Sequence, residues 1–176
     1  TFKHGQRNYV SYPPTSEYYS AEGNEREQDY DHAKLLLESL TENTEASSAA
    51  SSKLTMKVLS KYMPVAEEVT SAWKKAGINV AVEEVLTIPT TFQLYLGDFN
   101  MPRDPDQYTL WHSSQPPNTN ITNFNNLRID KLLEDGRKTT DLSERKEIYK
   151  DFQKYLIDDA PASFLYFPYL YTVVRK

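Results

Sequence analysis

The segment from Asp104 to Gln115, DPDQYTLWHSSQ, holds a dense group of side chains that could carry chemistry. It combines two carboxylates, a Tyr, a Trp, a His and two Ser within twelve positions. Such a group could supply the acid and base of an enzyme, the ligands of a metal ion, or a loop that holds a ligand against aromatic faces. Each possibility makes different demands on the rest of the sequence.

The histidines give a metal site little support. His4, His32 and His112 are the only three in the chain, they are far apart, and no HExxH pair is present. The chain also contains no Cys, which excludes disulfides, zinc–thiolate sites and Cys nucleophiles. The sequence therefore predicts neither a metal ion nor a cofactor, and it assigns no role to His112.

Three closely spaced Asp residues leave a carboxylate-based enzyme as an alternative. Asp104 and Asp106 flank Pro105, and Asp98 precedes Asp104 by six residues. Acid/base catalysis needs two carboxyl groups in one cleft with separated pKa values. Asp-Pro-Asp is also an ordinary turn sequence, because Asp accepts hydrogen bonds from nearby backbone amides and Pro fixes φ. Since no GxSxG, P-loop or GxGxxG motif is present either, we favour the turn and expect no enzyme.

The composition of the chain limits the classes of partner that it could bind. The chain has 176 residues and a net charge of −5, and its 20 basic residues form no dense cluster, so nucleic acid is not an expected partner. Its apolar runs are far too short to span a membrane. The 13 Tyr suit either a surface that buries varied ligands or a Tyr-rich core, and a Tyr-rich surface that docks onto another protein is a further alternative. Because the chain starts at Thr1, we expect it to be part of something longer.

The elements that must position these residues indicate one α/β domain with a mixed sheet. Residues 54–60 alternate as a half-buried strand, Pro64 begins a helix that Gly77 ends, and residues 78–86 form a β-branched strand. Strand, helix and strand with short connections predict a βαβ unit whose strands are parallel.

The flanking segments carry further helices and strands. Asp29 offers the cap of a short helix that ends near Leu40, and the polar residues 41–52 are predicted to form an exposed loop. Downstream, one helix stops near Gly136 and a second begins after Asp141 or Ser143. Two strands separated by Pro168 are expected to follow.

Taken in order, a series of loose motifs resembles the C-terminal lobe of the peptide/nickel-type (family 5) extracellular solute-binding proteins of ABC importers. The motifs lie at Tyr30 to Leu36, Gly97-Asp98, Asp104-Pro105-Asp106-Gln107-Tyr108, Asn118 to Asn126, Arg128 to Leu133, Thr140-Asp141, Glu144-Arg145, Tyr149, Gln153 and Asp159-Ala-Pro161. The resemblance covers nearly the whole chain, residues 1–176, and implies a single lobe of a class II periplasmic-binding-protein-like fold.

That resemblance implies a function and partners. It implies non-catalytic capture of oligopeptides or dipeptides in a cleft between this lobe and an N-terminal lobe that the chain lacks. The partners would be the peptide or another small solute, that N-terminal lobe, and the membrane subunits of the importer. The protein would work at the extracellular face of a bacterial cytoplasmic membrane or in the periplasm, as a soluble or lipid-anchored protein.

The resemblance also implies which residues meet the ligand. By position, Asp98 would pair with the α-ammonium of a peptide, with Tyr95 just before it. Tyr108 and Trp111 would offer flat apolar faces to ligand side chains, and Asn123 would contribute from the Asn-rich loop. The alternative for Tyr108 and Trp111 is that both simply pack beneath the loop.

Overall fold

The chain divides into two units, one of residues 27–99 and one of residues 1–26 together with 100–176. The computed structural model describes residues 5–20, 28–42, 54–169 and 172–175. The elements follow in the order β1 (Gly5–Arg7), α1 (Tyr30–Glu42), β2 (Leu54–Leu59), a 3₁₀ turn (Ser60–Tyr62), α2 (Met63–Lys75), β3 (Val80–Val85), β4 (Leu94–Leu96), α3 (Tyr108–Trp111), α4 (Leu127–Lys138), α5 (Leu142–Asp159) and β5 (Tyr166–Pro168). That residues 1–176 act as one ligand-binding lobe stays a prediction.

The predicted βαβ unit is confirmed in residues 54–85. Strands β2 and β3 pair in parallel, with Leu54 opposite Val80 and Leu59 opposite Val85. Helix α2 connects them and carries Pro64 in its first turn, where the missing N–H costs no hydrogen bond. Gly77 follows the helix with φ of +94°, a conformation that side chains with a Cβ rarely adopt.

Strand β4 completes this sheet and was not predicted. It lies on the other side of β2 from β3, also in parallel, with Lys57 opposite Tyr95. Three residues are too few to show periodicity, so no pattern in the sequence indicated this strand. Its position matters, because all three strands end at the same edge of the sheet and Asp98 lies two residues beyond β4.

Helix α2 covers one face of the parallel sheet. Met56 and Val58 of β2 pack against Ala66 of α2, and all three are buried. Val69 and Trp73 are partly buried beside them. The core of this unit is therefore thin, and it follows the alternation of β2 that the sequence displays.

Helix α1 is longer than predicted. Asp29 accepts a hydrogen bond from the amide of His32 at 2.8 Å, which confirms the cap. The helix continues through Glu42 rather than ending near Leu40. The first two residues of the predicted 41–52 loop are thus helical, and the remainder of that loop lies outside the described residues.

Helices α4 and α5 form the frame of the other unit. The side chain of Asn126 accepts from the amides of Arg128 and Ile129, which starts α4. Asp141, rather than Ser143, caps α5 by accepting from two amides at 2.9 Å. Helix α4 ends two residues beyond Gly136, near the predicted stop, and Gly136 itself is buried and helical.

The core of this unit is aromatic. Its buried members are Tyr12, Tyr18, Trp111, Ile129, Leu133, Tyr149, Phe152 and Leu156. The rings of Tyr12, Tyr18 and Phe152 meet that of Tyr149 edge to face, an arrangement that aromatic pairs favour. Three of the 13 Tyr are therefore buried in this core, and two of them come from an N-terminal segment without periodicity.

The C-terminal strands differ from the prediction. β5 pairs antiparallel with β1, with Gly5 opposite Pro168, so Pro168 ends a strand instead of separating two. Residues 172–175 form no strand, and residues 170 and 171 lie outside the described residues. The α/β class is confirmed, but the strands form a parallel three-stranded sheet and a separate antiparallel pair. Among the described residues, no helix is long and apolar enough to cross a membrane.

Candidate functional site

The Asp-Pro-Asp sequence forms a tight turn, as favoured from the sequence. Asp104 Oδ1 accepts from the amide of Asp106 at 2.9 Å, and Asp106 Oδ1 accepts from the amide of Tyr108 at 3.0 Å. Between them, the carbonyl oxygen of Pro105 accepts from the hydroxyl of the fully buried Tyr12 at 2.5 Å. Short-range Asp–amide bonds of this kind replace the backbone hydrogen bonds that a strand or helix would supply.

Each acid of the turn is paired with an arginine. Arg145 of α5 places Nη2 at 2.9 Å from Asp104 Oδ1, and Arg137 of α4 places Nη2 at 2.6 Å from Asp106 Oδ2. Burial raises the pKa of Asp104, but the hydrogen bonds from Arg145 and from the backbone outweigh it and lower the pKa overall. A carboxyl group kept ionised in this way is a poor proton donor near neutral pH, so the pairing favours a structural role over an acid/base pair.

The ring of Tyr108 is covered on both faces. The His112 ring stacks on it with centroids 4.0 Å apart, and the guanidinium carbon of Arg137 lies 3.8 Å from the Tyr108 centroid. Two flat groups at these distances cannot share one face, so they lie on opposite sides of the ring. A ligand could reach the edge of Tyr108 and its hydroxyl, which lies 3.4 Å from Ser114 Oγ. The predicted face-on contact requires His112 or Arg137 to move.

Trp111 is a core residue in this arrangement. Its side chain is buried, with the residue 6% exposed, and packs edge to face against Phe124 and Phe164. Its Nε1 donates to Gln107 Oε1 at 2.8 Å, and Gln107 Nε2 donates to Ser11 Oγ at 3.0 Å. This packing supports the alternative in which Trp111 holds the loop from beneath. That Trp111 meets a ligand stays a prediction.

Asp130, which the sequence left without a role, fixes the end of the loop. Its carboxylate accepts from the amide of Ser113 at 2.9 Å and from the Ser113 hydroxyl. The amide of Ser114 donates to His112 Nδ1 at 3.1 Å, which places the imidazole proton on Nε2. Nε2 lies 3.6 Å from Glu134 Oε1. The His-Ser-Ser group is thus tied to α4 as part of a turn.

Asn120 organises the Asn-rich loop, rather than Asn123. The buried side chain of Asn120 accepts from the amide of Phe124 at 3.0 Å and donates to its carbonyl oxygen at 2.8 Å. Asn123 is exposed and has φ of 51°, a left-handed conformation that Asn adopts more readily than most residues. A ligand contact by Asn123 stays a prediction.

Asp98 lies in the other unit, just beyond β4. Its Oδ2 is 2.6 Å from Lys61 Nζ, and the two side chains are 39% and 60% exposed. The hydrogen bond from Lys61 lowers the pKa of Asp98 more than burial raises it. Lys61 Nζ also lies 5.0 Å from the centroid of the Tyr62 ring. Asp98 is therefore an ionised, partly exposed carboxylate that already has an ammonium partner.

Tyr95 folds back over the end of its own strand. A Cβ on Gly97 would lie 2.3 Å from Tyr95 Oη, so only glycine allows this fold-back. The hydroxyl is buried and has no hydrogen-bond partner among the described residues. Burial raises the pKa of Tyr95, and the nearby Asp98 carboxylate adds to the shift. Tyr95 and Asp98, both predicted site residues, are thus brought together.

No protein-family model matches the chain. Comparison with individual proteins does identify relatives. It is 29% identical over 114 residues to the oligopeptide-binding protein AppA of Bacillus subtilis, a match that covers 59% of this chain and 21% of AppA. It is 33% identical over 112 residues to protein XP55 of Streptomyces lividans, covering 58% of this chain and 21% of XP55. The chain is homologous to part of the peptide/nickel-type solute-binding proteins. It spans about a fifth of the length of the curated relatives it matches.

Solved structures of solute-binding proteins have the same fold. AppA of B. subtilis in complex with a nonapeptide superposes with a TM-score of 0.78 at 22% identity, over 94% of this chain and 37% of AppA. NikZ of Campylobacter jejuni in complex with Ni(L-His) gives a TM-score of 0.71 at 22% identity, over 90% of this chain and 36% of NikZ. The periplasmic-binding-protein-like fold expected from the sequence is confirmed.

The predicted site residues are divided between the two units of the chain. Tyr95 and Asp98 belong to residues 27–99, whereas Tyr108, Trp111 and Asn123 belong to the other unit. Sequence reasoning missed Lys61 and Tyr62, because their distance from Asp98 in the chain hides their proximity. Among the described residues, no three His, Asp or Glu side chains lie close enough together to hold a metal ion.

Proposed function

We propose that this chain is one lobe of a two-lobed protein that captures peptides, without changing them chemically, for an ABC importer. The observation that carries the proposal is the position of Asp98 at the carboxyl edge of the parallel sheet. In open α/β sheets, ligands bind outside the carboxyl ends of the strands. Asp98 follows β4 there, while Lys61 and Tyr62 follow β2 at the same edge.

The chemistry at this edge suits a peptide amino terminus. An ammonium group needs an ionised carboxylate and further acceptors, and the lowered pKa keeps Asp98 ionised well below neutral pH. The buried hydroxyl of Tyr95, without a partner among the described residues, supplies a second polar atom beside it. A relative that is named an oligopeptide-binding protein, and whose solved structure holds a nonapeptide, supports peptides as the ligand class.

The rest of the protein is part of the same proposal. This chain matches 37% of the AppA chain in the peptide complex, so we propose that a second lobe closes over the ligand. The importer's membrane subunits would then receive the peptide, with the protein at the extracellular face of the membrane or in the periplasm. Closure between lobes is the ordinary way in which such a binder excludes water from its ligand.

The two alternative functions receive less support. A carboxyl group that acts as a general acid near neutral pH would need a raised pKa, yet Asp98 and Asp104 both have lowered pKa values and Asp106 is paired with Arg137. A docking surface would need several exposed Tyr, yet Tyr169 is the only exposed Tyr among the described residues. No specific observation favours either function.

Native mass spectrometry of the two-lobed protein, purified without denaturation, tests the proposal. We expect a series of added masses that fragment as peptides, and their loss after the protein is unfolded and refolded. Protein that carries no peptide, and that gains none when a mixture of tripeptides to nonapeptides is added, would contradict the proposal. If a single non-peptide compound binds again after refolding, the ligand belongs to the class of that compound and not to the peptides.

A further inference from the structure

We propose that Lys61 sets the specificity of the Asp98 site, because its ammonium occupies the carboxylate until the amino terminus of a ligand replaces it. This inference rests on the proposed function and adds a specificity-determining residue to it. The consequence is that a peptide binds by exchanging one ammonium for another. Only ligands whose amino group competes with Lys61 would gain from Asp98.

The first observation is that few interactions hold Lys61 against Asp98. The only hydrogen bond between them joins Lys61 Nζ to Asp98 Oδ2 at 2.6 Å, and the Lys61 side chain is 60% exposed. Nζ also lies 5.0 Å from the centroid of the Tyr62 ring. A lysine holds its charge on a flexible four-carbon stem, so it can turn into water without disturbing the sheet.

The Arg145–Asp104 pair in the other unit shows what a permanent pair in this chain looks like. Arg145 contacts both carboxylate oxygens of Asp104 and also donates to the carbonyl oxygen of Gly136 at 2.9 Å. Its side chain is only 18% exposed. The guanidinium of Arg145, which is held by three acceptors, cannot leave Asp104 without disturbing the fold. The ammonium of Lys61 can leave Asp98 without doing so.

The second observation is the hydroxyl of Tyr95. It is buried beside Asp98 and has no hydrogen-bond partner among the described residues, and the glycine at position 97 is required for it to lie there. Buried polar groups in proteins are nearly always satisfied, so an exception calls for an explanation. An incoming ammonium has three donors and could satisfy both Asp98 and Tyr95.

Exchange of ammonium groups changes the energetics of binding in a way that can be measured. In the wild type, breaking the Lys61–Asp98 pair offsets part of what the ligand gains from Asp98. Because an exposed pair of this kind is weak, the offset should be small, roughly fivefold in affinity. Replacing Lys61 with a neutral side chain of similar length therefore strengthens the binding of peptides with a free amino terminus.

The test compares the wild type with Lys61→Met and Lys61→Arg in the two-lobed protein by calorimetric titration. The probes are the tripeptide Ala-Ala-Ala and its N-acetylated form. Lys61→Met is expected to bind the free tripeptide roughly fivefold more tightly than wild type, whereas Lys61→Arg, which keeps a cation on Asp98, should not. The acetylated tripeptide should bind all three proteins equally. Lys61→Gln serves in place of Lys61→Met if the latter unfolds at a lower temperature than wild type.

Salt dependence gives a second readout. In the wild type, one ammonium replaces another, so the affinity for the free tripeptide should vary little with salt; in Lys61→Met it should fall as salt screens the new ion pair. If wild type binds the tripeptide but Lys61→Met binds it no more tightly, Lys61 is not the determinant and the peptide function stands. If wild type binds no peptide, both proposals fail together.

Discussion

The guanidinium of Arg145 contacts both carboxylate oxygens of Asp104, with Nη2 2.9 Å from Oδ1 and 3.2 Å from Oδ2. The same guanidinium donates to the carbonyl oxygen of Gly136 and lies 5.5 Å from the centroid of the Tyr149 ring. A single residue of α5 therefore joins the Asp-Pro-Asp turn, helix α4 and the aromatic core. The turn is held by the helices rather than by its own sequence alone.

Arg145→Met should destabilise the protein much more than Asp104→Asn. The Arg145→Met substitution removes a partly buried hydrogen bond to a carbonyl oxygen as well as the contacts with the carboxylate. Together these contribute about 1.5–3 kcal/mol to the free energy of unfolding. Asp104 is 59% exposed at its side chain, so its ion pair alone contributes up to about 1 kcal/mol. Urea unfolding followed by circular dichroism measures both. Equal losses would show that the ion pair, and not the bond to Gly136, carries the effect.

Trp111→Phe should lower the free energy of unfolding by about 1–3 kcal/mol, because it leaves Gln107 Oε1 buried without its indole donor. A double-mutant cycle separates this from lost packing. Gln107→Leu combined with Trp111→Phe removes the unsatisfied acceptor, so the double variant should recover part of the loss. Strictly additive losses would mean that the hydrogen bond contributes nothing and that only the size of the indole matters.

Tyr149 should make the protein less stable in alkali. Burial is the largest of the effects that raise the pKa of Tyr149 to about 12, whereas an unfolded Tyr has a pKa of about 10. The unfolded chain therefore releases the proton first. Stability is full below pH ~10 and is lost as the pH rises towards ~12.

Tyr149→Phe removes that dependence. Since the Tyr149 hydroxyl has no hydrogen-bond partner among the described residues, the variant should be within about 1 kcal/mol of wild type at pH 7. Between pH 8 and 12 its free energy of unfolding should fall less steeply than that of wild type, by about 1–3 kcal/mol over the range. Parallel curves for the two proteins would place the alkaline titration elsewhere.

Local signals in the sequence were enough to predict the helix caps and the βαβ unit. Asp29, Asp141, Pro64 and Gly77 act on backbone within a few residues of themselves, so spacing alone reveals them. The class of fold follows from these elements together with the motifs shared with solute-binding proteins.

The pairing of distant residues could not be predicted in this way. Arg145 and Asp104 are 41 residues apart in the chain, and Lys61 and Asp98 are 37 residues apart. No pattern in either segment indicates which distant residue it will contact. The same holds for Tyr12 and Tyr18, whose segment lacks periodicity but enters the core of α4 and α5. The roles of Trp111 and Tyr108 were ambiguous for this reason, because burial depends on neighbours brought from elsewhere.

Asp98→Asn separates charge recognition by this carboxylate from a general defect in the protein. The substitution keeps the size of the side chain and removes its charge, so Lys61 also loses its partner in the unliganded protein. Truncating one member of a desolvated ion pair costs about 2–5 kcal/mol, and the partial exposure of Asp98 places the expected loss at the lower end. An acetylated peptide carries no ammonium, so its binding is the matched control.

Calorimetric titration of the two-lobed protein with a free and an N-acetylated form of the same peptide is the most direct measurement. Asp98→Asn should weaken binding of the free peptide by tenfold or more, while binding of the acetylated peptide changes less than twofold. Equal weakening of both peptides, or no weakening of the free one, would contradict the assignment of Asp98 to a peptide amino terminus.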